Sequence, residues 1–452
     1  MKVPEHQRHT LRNGIQLILM PLHDVPLVTF EAVVRGGSRL NAPELAGVAS
    51  LTSELLVRGA GERDAFDFAE AVEDVGGSFD ADAHSEAVML HGQFLAGDSE
   101  LMLQLLSEAL QCPHLAEEEF DTLRARRIEF IRAAKDSEPQ SLIGAYGRSM
   151  LFAHHAYGAP IGGSERTLAL IDRQHLLDFY QHQFGADRLT LVFTGDFDPA
   201  VLTRTVERLF ADWRPAASPL QPLTASRRIQ GRRILLIDSP GATQTYFWIG
   251  NVGVARSYDA RAALDVTNTA FGGSFGSMLV QALRVKSGLT YSASSGFRRG
   301  SVPGEFAISS FTPTASTADA LQISLETLGA LKRDGISAEG LASARRYLLG
   351  QYPLAFETAA DWAVALSDLD LYGLPRSYIE EYGTDLGLVD ARQSREVVDQ
   401  AFPDPEDVDI VLIGDARRIR RQARDLGPVT EKSLEAPDFE APVFETPVRA
   451  GA

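Results

Sequence analysis

Apolar positions along this chain follow one order twice. Residues 15–20 and 27–34 read as apolar or alternating runs, a Gly-containing turn comes at 35–39, and helical spacing takes over after it. Residues 233–237, 244–250 and 252–256 repeat that order. Each half also closes alike: 191–196 and 410–415 are apolar runs ending in Gly-Asp, with an amphipathic stretch behind each. Runs of this kind predict buried strands. Between opening and closing, apolar residues fall at helical spacing over 64–75, 97–111, 117–135 and 175–184, and again over 260–270, 316–334 and 338–355. Strands mixed with clustered helices give an α+β class, with helices packed on a mainly antiparallel sheet in each of two homologous domains.

The stretch 214–222 is rich in Pro and small residues, which oppose both helix and sheet, and marks the linker. The expected organisation is an N-terminal domain over 1–213, a linker over 214–231, a C-terminal domain over 232–426 and an extended tail over 427–452. The tail repeats Pro, Glu and Ala without periodicity. An arm that wraps a partner is the sharper reading of the same segment.

Composition narrows the function classes. A chain of 452 residues with 44% hydrophobic and 23% charged residues has enough apolar surface for more than one core. Its formal net charge of −18 opposes binding to nucleic acid, which needs a basic face, and to an anionic membrane surface. Simple solubility is the first reading of that acidity, and attraction of basic peptides is the sharper alternative. No apolar run reaches the length of a membrane span. The single cysteine, Cys112, has no partner for a disulfide or a metal motif and reads as a buried small apolar residue.

Candidate chemistry is thin. All ten histidines lie at or before His182, so the second half offers no imidazole. His154 and His155 are adjacent, His175 and His182 stand two turns apart on an expected helix, and His84 and His91 flank an expected strand; none has the spacing of a metal site. The Gly-rich stretch from Phe271 to Ser277 lacks the Lys-Ser/Thr ending of a phosphate loop and the G-x-G-x-x-G spacing of a dinucleotide site. It reads either as a helix-to-turn transition or as a flexible substrate-contact loop.

Taken in order, a set of short motifs resembles the M16 (pitrilysin or inverzincin) metallopeptidases over about residues 8–425. They are Gly37-Ser38-Arg39, Gly47-Val48-Ala49, Gly76-Gly77, His155-Ala156-Tyr157-Gly158, Gly195-Asp196, Pro240-Gly241-Ala242-Thr243-Gln244, Phe271 to Ser277, and Leu283-Arg284 with Gly288-Leu289-Thr290-Tyr291. Active members carry H-x-x-E-H on the helix after Gly-x-Ala, two imidazoles one turn apart on one zinc ion and a Glu that activates its water. Here the His positions hold Ser50 and Glu54, and the catalytic Glu position holds Ser53. The family's third ligand, a downstream Glu, falls near Phe130, with Glu129 beside it. Serine is a poor zinc ligand, so the expectation is no metal in this chain.

The second half keeps more of the pattern. The family's Arg/Tyr pair, seven residues apart, matches Arg284 and Tyr291. In that role the Tyr hydroxyl meets the scissile carbonyl as it becomes an oxyanion, and the Arg fork holds a substrate carbonyl. The competing reading is a surface ion pair for Arg284 and a half-buried strand aromatic for Tyr291. The resemblance also implies substrate contacts at Gly272, Gly273 and Ser274, and an edge strand near Ala81 that pairs with an extended peptide backbone. The function it implies is the zinc-free subunit of a heterodimeric peptidase, whose partner carries H-x-x-E-H and the zinc. The alternative is a non-catalytic M16-fold scaffold or a peptide-binding homodimer. Exported two-chain relatives imply the periplasm; no apolar signal segment follows Met1, which keeps the cytoplasm open.

Overall fold

The structure, a computed structural model, describes residues 1–442 and separates into two compact units. The first comprises 1–131, 159–222 and 350–383. Its sheet is built from β1 (Gln7–Thr10), β2 (Gln16–Pro21), β3 (Leu27–Arg35), β4 (Ser78–Ala83), β5 (Ala87–Leu95) and β6 (Leu189–Gly195), in the order β1-β2-β6-β3-β5-β4. Only β2 and β6 run parallel. β3 and β6 are central and read as near-continuous apolar runs, since both faces are covered. On one face Phe30 meets Phe79 and Phe79 meets Phe68 of the helix Ala65–Glu73. On the other, the helix Ala359–Leu371 lies along β3 and β6, packing Trp362, Ala363, Leu366 and Leu369 with Ile18, Met20 and Val192. Asp370 fixes that helix: it accepts from Arg35 (2.6 Å) and Thr190 (2.7 Å) and pairs with Arg8 (3.0 Å).

The second unit comprises 132–158, 223–349 and the chain from 384 onward. Its strands are β7 (Arg233–Asp238), β8 (Gln244–Val252), β9 (Ala293–Arg298), β10 (Glu305–Pro313), β11 (Asp409–Gly414) and β12 (Val429–Ser433), in the order β12-β7-β11-β8-β10-β9. The five strands β7-β11-β8-β10-β9 follow the order of β2-β6-β3-β5-β4, with the same single parallel pair among them, so the repeat in the sequence is a repeat in topology. The repeat breaks at the outer edge: β1 is antiparallel to β2, whereas β12 is parallel to β7. Here the helix Ile143–Leu151 packs on β8 and β11, with Gly147 against Trp248, Tyr146 edge-on to Phe439, and Arg148 within 3.4 Å of Glu305.

The compact units therefore cut across the sequence boundaries at 213 and 232. Segment 132–158 of the first half belongs to the second unit, and segment 350–383 of the second half belongs to the first. Each sheet needs a helix over its second face, and each finds it in the other repeat. The linker 214–231 holds no helix or strand. The segment expected as an extended tail contains β12, which pairs with β7, while residues 443–452 lie outside the described residues. Cys112 is exposed rather than buried, because it follows the last turn of the helix Ser99–Gln111.

Candidate functional site

The H-x-x-E-H positions sit on the helix Val48–Leu55 of the first unit. Gly47 starts it at φ +107°, and a Cβ there would stand 3.0 Å from the Cα of Gly163. Only glycine takes that backbone without strain, which accounts for the Gly-x-Ala beginning. The helix is almost wholly buried, packed on β4 and on the helix Arg173–Gln183. Ser50 is buried, and the buried Ser53 hydroxyl donates to the Ser50 carbonyl at 2.9 Å. Glu54 accepts from Arg127, which projects from the helix Glu117–Ser137. Burial holds the Arg127 guanidinium below its ordinary pKa, and Glu54 is its partner. Phe130, at the place of the third ligand, is 68% exposed.

These residues do not fit zinc. Both hydroxyl positions are buried, Ser53 is spent on a carbonyl, and the one carboxylate on the helix is bound to a cation. Among the described residues no three His, Cys, Asp or Glu side chains converge in a way that could hold a metal ion. The histidines have local partners instead. His175 pairs with Asp172 (2.7 Å), His155 with the Thr224 carbonyl (2.8 Å) and His182 with the Asp178 carbonyl (2.7 Å). Ala81 is on β4, buried and paired with Leu90. β4 is the last strand of its sheet, so its outer backbone edge has no partner strand among the described residues.

Arg284 and Tyr291 belong to the second unit. The helix Arg261–Asn268 runs into a wide π-helical turn, Thr269–Gly273, and a second such turn, Gln281–Lys286, carries Arg284. Gly272 is buried there, and a Cβ would collide with the Ser295 hydroxyl; Gly273 is exposed and Ser274 half-buried, its hydroxyl donating to the Thr269 carbonyl (3.1 Å). Gly272 is thus a packing residue of the turn, and Gly273 is its accessible one. The Arg284 guanidinium lies 4.7 Å from the centre of the Phe275 ring, itself 68% exposed.

Tyr291 is 80% exposed and its hydroxyl has no partner among the described residues. Its backbone is held from both sides. Leu289 donates to the Leu283 carbonyl (2.9 Å), and Ser310 of β10 donates to Thr290 (3.2 Å) and to the Ser292 carbonyl (2.7 Å). A large aromatic presented to solvent on an anchored loop is neither a strand aromatic nor part of the core. Arg284 makes no ion pair among the described residues. Beside this segment, a cleft of about 410 Å³ is lined by Ser287, Leu289, Asp319, Gln322, Ile323 and Glu326. The two sequence-flagged sets stay in separate units: Ser50, Ser53, Glu54 and Ala81 in the first, and Gly272, Gly273, Ser274, Arg284 and Tyr291 in the second.

One group escaped the sequence reading. Glu31, in the middle of the apolar run of β3, is 7% exposed and accepts no hydrogen bond among the described residues. A charged residue inside an otherwise apolar central strand was the available signal.

Comparison with known proteins shows the family and the fold. Residues 22–165 match the sequence model of the Insulinase family (Peptidase family M16), and residues 170–348 match the Peptidase M16 inactive domain. An uncharacterized zinc protease of Mycobacterium leprae is 27% identical over 371 residues, 81% of this chain and 82% of that protein. An uncharacterized zinc protease of Streptomyces coelicolor is 27% identical over 355 residues, 78% of this chain and 77% of that one. The crystal structure of a peptidase M16 inactive domain from Pseudomonas fluorescens superposes with a TM-score of 0.84 at 21% identity, covering 95% of this chain and all of that one. A protease from Helicobacter pylori superposes at 0.83 and 18% identity, covering 91% and 99%. Both show the same fold.

Proposed function

Because this chain belongs to peptidase family M16, we propose that it is the zinc-free half of a two-chain peptidase and completes its partner's site with Arg284 and Tyr291. The observation that carries this reading is a contrast between the units. Where the family's two imidazoles and catalytic Glu would stand, Ser50 and Ser53 are buried and Glu54 is held by Arg127. Where its substrate contacts would stand, Arg284 and Tyr291 are presented to solvent on an anchored segment, with no hydrogen-bond partner among the described residues. A fold maintained only as a scaffold has no need of a free tyrosine held by three hydrogen bonds around it.

The partner would be an M16 chain with an intact H-x-x-E-H helix, which supplies the metal and its activated water. This chain's share is electrostatic. The Tyr291 hydroxyl donates to the scissile carbonyl oxygen as negative charge grows on it. The Arg284 fork holds a neighbouring backbone carbonyl, released from the Phe275 ring for that purpose. The free edge of β4, at Ala81, takes an extended peptide by strand addition, which selects conformation more than side chains.

The test is Tyr291→Phe in the complete two-chain enzyme. Loss of one oxyanion donor lowers turnover by about 100-fold with little change in peptide affinity; an unchanged turnover would remove Tyr291 from the mechanism. The match of 170–348 to a domain described as inactive favours a second reading, an M16-fold scaffold or peptide-binding homodimer. That reading gains if no H-x-x-E-H chain confers activity.

A further inference from the structure

One face of the first unit's sheet carries more acid than the peptidase reading uses. Glu31 of β3 stands directly across from His91 of β5, and His91 directly across from Asp80 of β4. Side chains so paired across strands share one face of the sheet. Asp82, two residues along β4 from Asp80, is on the same face. It pairs with His84 at 2.6 Å and lies 3.7 Å from His91. The helix Ala359–Leu371 walls this face on the β6 side and contributes Asp368, within electrostatic reach of Glu31. The remaining cation on β3, Arg35, is taken up by Asp370.

Asp80 stands at the exposed edge of this group and faces solvent; of the remaining polar groups all but one have something to bind. Both histidines engage Asp82, and Asp368 has an interaction of its own. Glu31 is the exception: 93% buried by its 7% exposure, and without a hydrogen bond or ion pair among the described residues. Burial, with Asp82 repelling it, pushes its pKa up to about 8, so it carries a proton at neutral pH that a bound cation would displace. A buried, unpartnered acid is costly and persists where a ligand supplies the missing partner.

We propose that this recess, formed by Glu31, Asp82, Asp80 and His91, binds a guanidinium or ammonium group, the basic side chain of a bound peptide. This rests on the peptide-binding reading and adds to it a preference for basic sequences. The geometry separates an organic cation from a metal ion. A metal needs three or more donors within about 2–2.6 Å of one point, and no such convergence exists among the described residues. A guanidinium offers five N–H donors over a planar fork and bridges carboxylates that stand apart. Binding moves one proton: the Glu31 carboxylic acid releases it to solvent, and its carboxylate then faces the cation.

The experiment uses the full chain and two N-acetylated, C-amidated hexapeptides that differ only in carrying arginine or its uncharged isostere citrulline. Calorimetry near pH 7 in buffers of different ionisation enthalpy reads both affinity and proton release. The expected result is about tenfold tighter binding of the arginine peptide, in line with a charge-assisted pair. About one proton is released, and both effects disappear in Glu31→Gln, which keeps the shape of the protonated acid. Equal binding of the two peptides, or an arginine preference that survives Glu31→Gln without proton release, overturns the proposal. If neither peptide binds, the peptide-binding reading fails on its own. Arginine amide alone, followed through the His84 and His91 ring resonances, then decides the cation site: shifts lost in Glu31→Gln uphold it, and no shifts overturn it. Tighter binding of zinc or calcium ions than of arginine amide at these resonances also overturns it.

Discussion

Replacing Glu31 with glutamine makes the first unit more stable, and by an amount that depends on pH. In the unfolded chain this carboxyl titrates near its ordinary value of 4.5; in the fold, burial and Asp82 raise it to about 8. Between those values the folded protein holds a proton that the unfolded chain has lost. Stability therefore falls as pH rises from about 4.5 to about 8 and is level on either side. Each pH unit of displacement is worth about 1.4 kcal/mol, so the full penalty approaches about 5 kcal/mol; relaxation around the ionised group brings the expected range to about 3–5 kcal/mol. Glutamine is neutral at every pH and removes the penalty. Urea unfolding followed by fluorescence of Trp362, buried in the core of the first unit, compares the two proteins at pH 5 and pH 9. All other titrating groups cancel in the difference. The variant should exceed the native protein by less than about 1 kcal/mol at pH 5 and by about 3–5 kcal/mol at pH 9. A difference that does not change with pH would refute the argument that Glu31 is buried without a partner.

Other outcomes follow from the same structure. Arg127→Ala strands Glu54 on the helix Val48–Leu55; because the two side chains are 26% and 29% exposed, the expected loss is about 1–3 kcal/mol in chemical denaturation. Replacing both by apolar residues should recover much of it. Gly47→Ala forces a side chain onto a φ of +107° and should cost about 2 kcal/mol, read as a lower midpoint of unfolding. Cys112 should react with one equivalent of a maleimide in the native fold, since the only thiol in the chain is exposed.

How much of this was written in the sequence differs from element to element. The strands β2, β3, β6, β7, β8 and β11 follow from apolar runs, and the Gly-Asp endings marked β6 and β11 because a buried central strand must be apolar on both faces; the edge strands β1, β4, β9 and β12 are polar and gave no such signal. The helices Ile143–Leu151 and Ala359–Leu371 were not marked, and they are the two that cover the other repeat's sheet. Their partners are remote in the chain, and nothing local records which sheet a helix will cover. The expected helix over 338–355 stops at Gln351, because Pro353 in the tighter turn behind it has no N–H to give. The departure from H-x-x-E-H at Ser50, Ser53 and Glu54 was legible once the family pattern was laid over the sequence, since serine is a poor substitute for an imidazole. The Glu54–Arg127 pair was not, because it joins two helices far apart in the chain. Spacing and family pattern identified Arg284 and Tyr291, but their exposure depends on two π-helical turns that no periodicity announces.

The division of labour between two chains is the claim on which the proposed function turns. The decisive measurement is peptidase activity on a quenched peptide, with zinc quantified, for this chain alone and for this chain co-expressed with an M16 chain that carries H-x-x-E-H. The expected result is no activity and no zinc in the chain alone, and both in the pair; stoichiometric zinc or cleavage by this chain alone would contradict the proposed function.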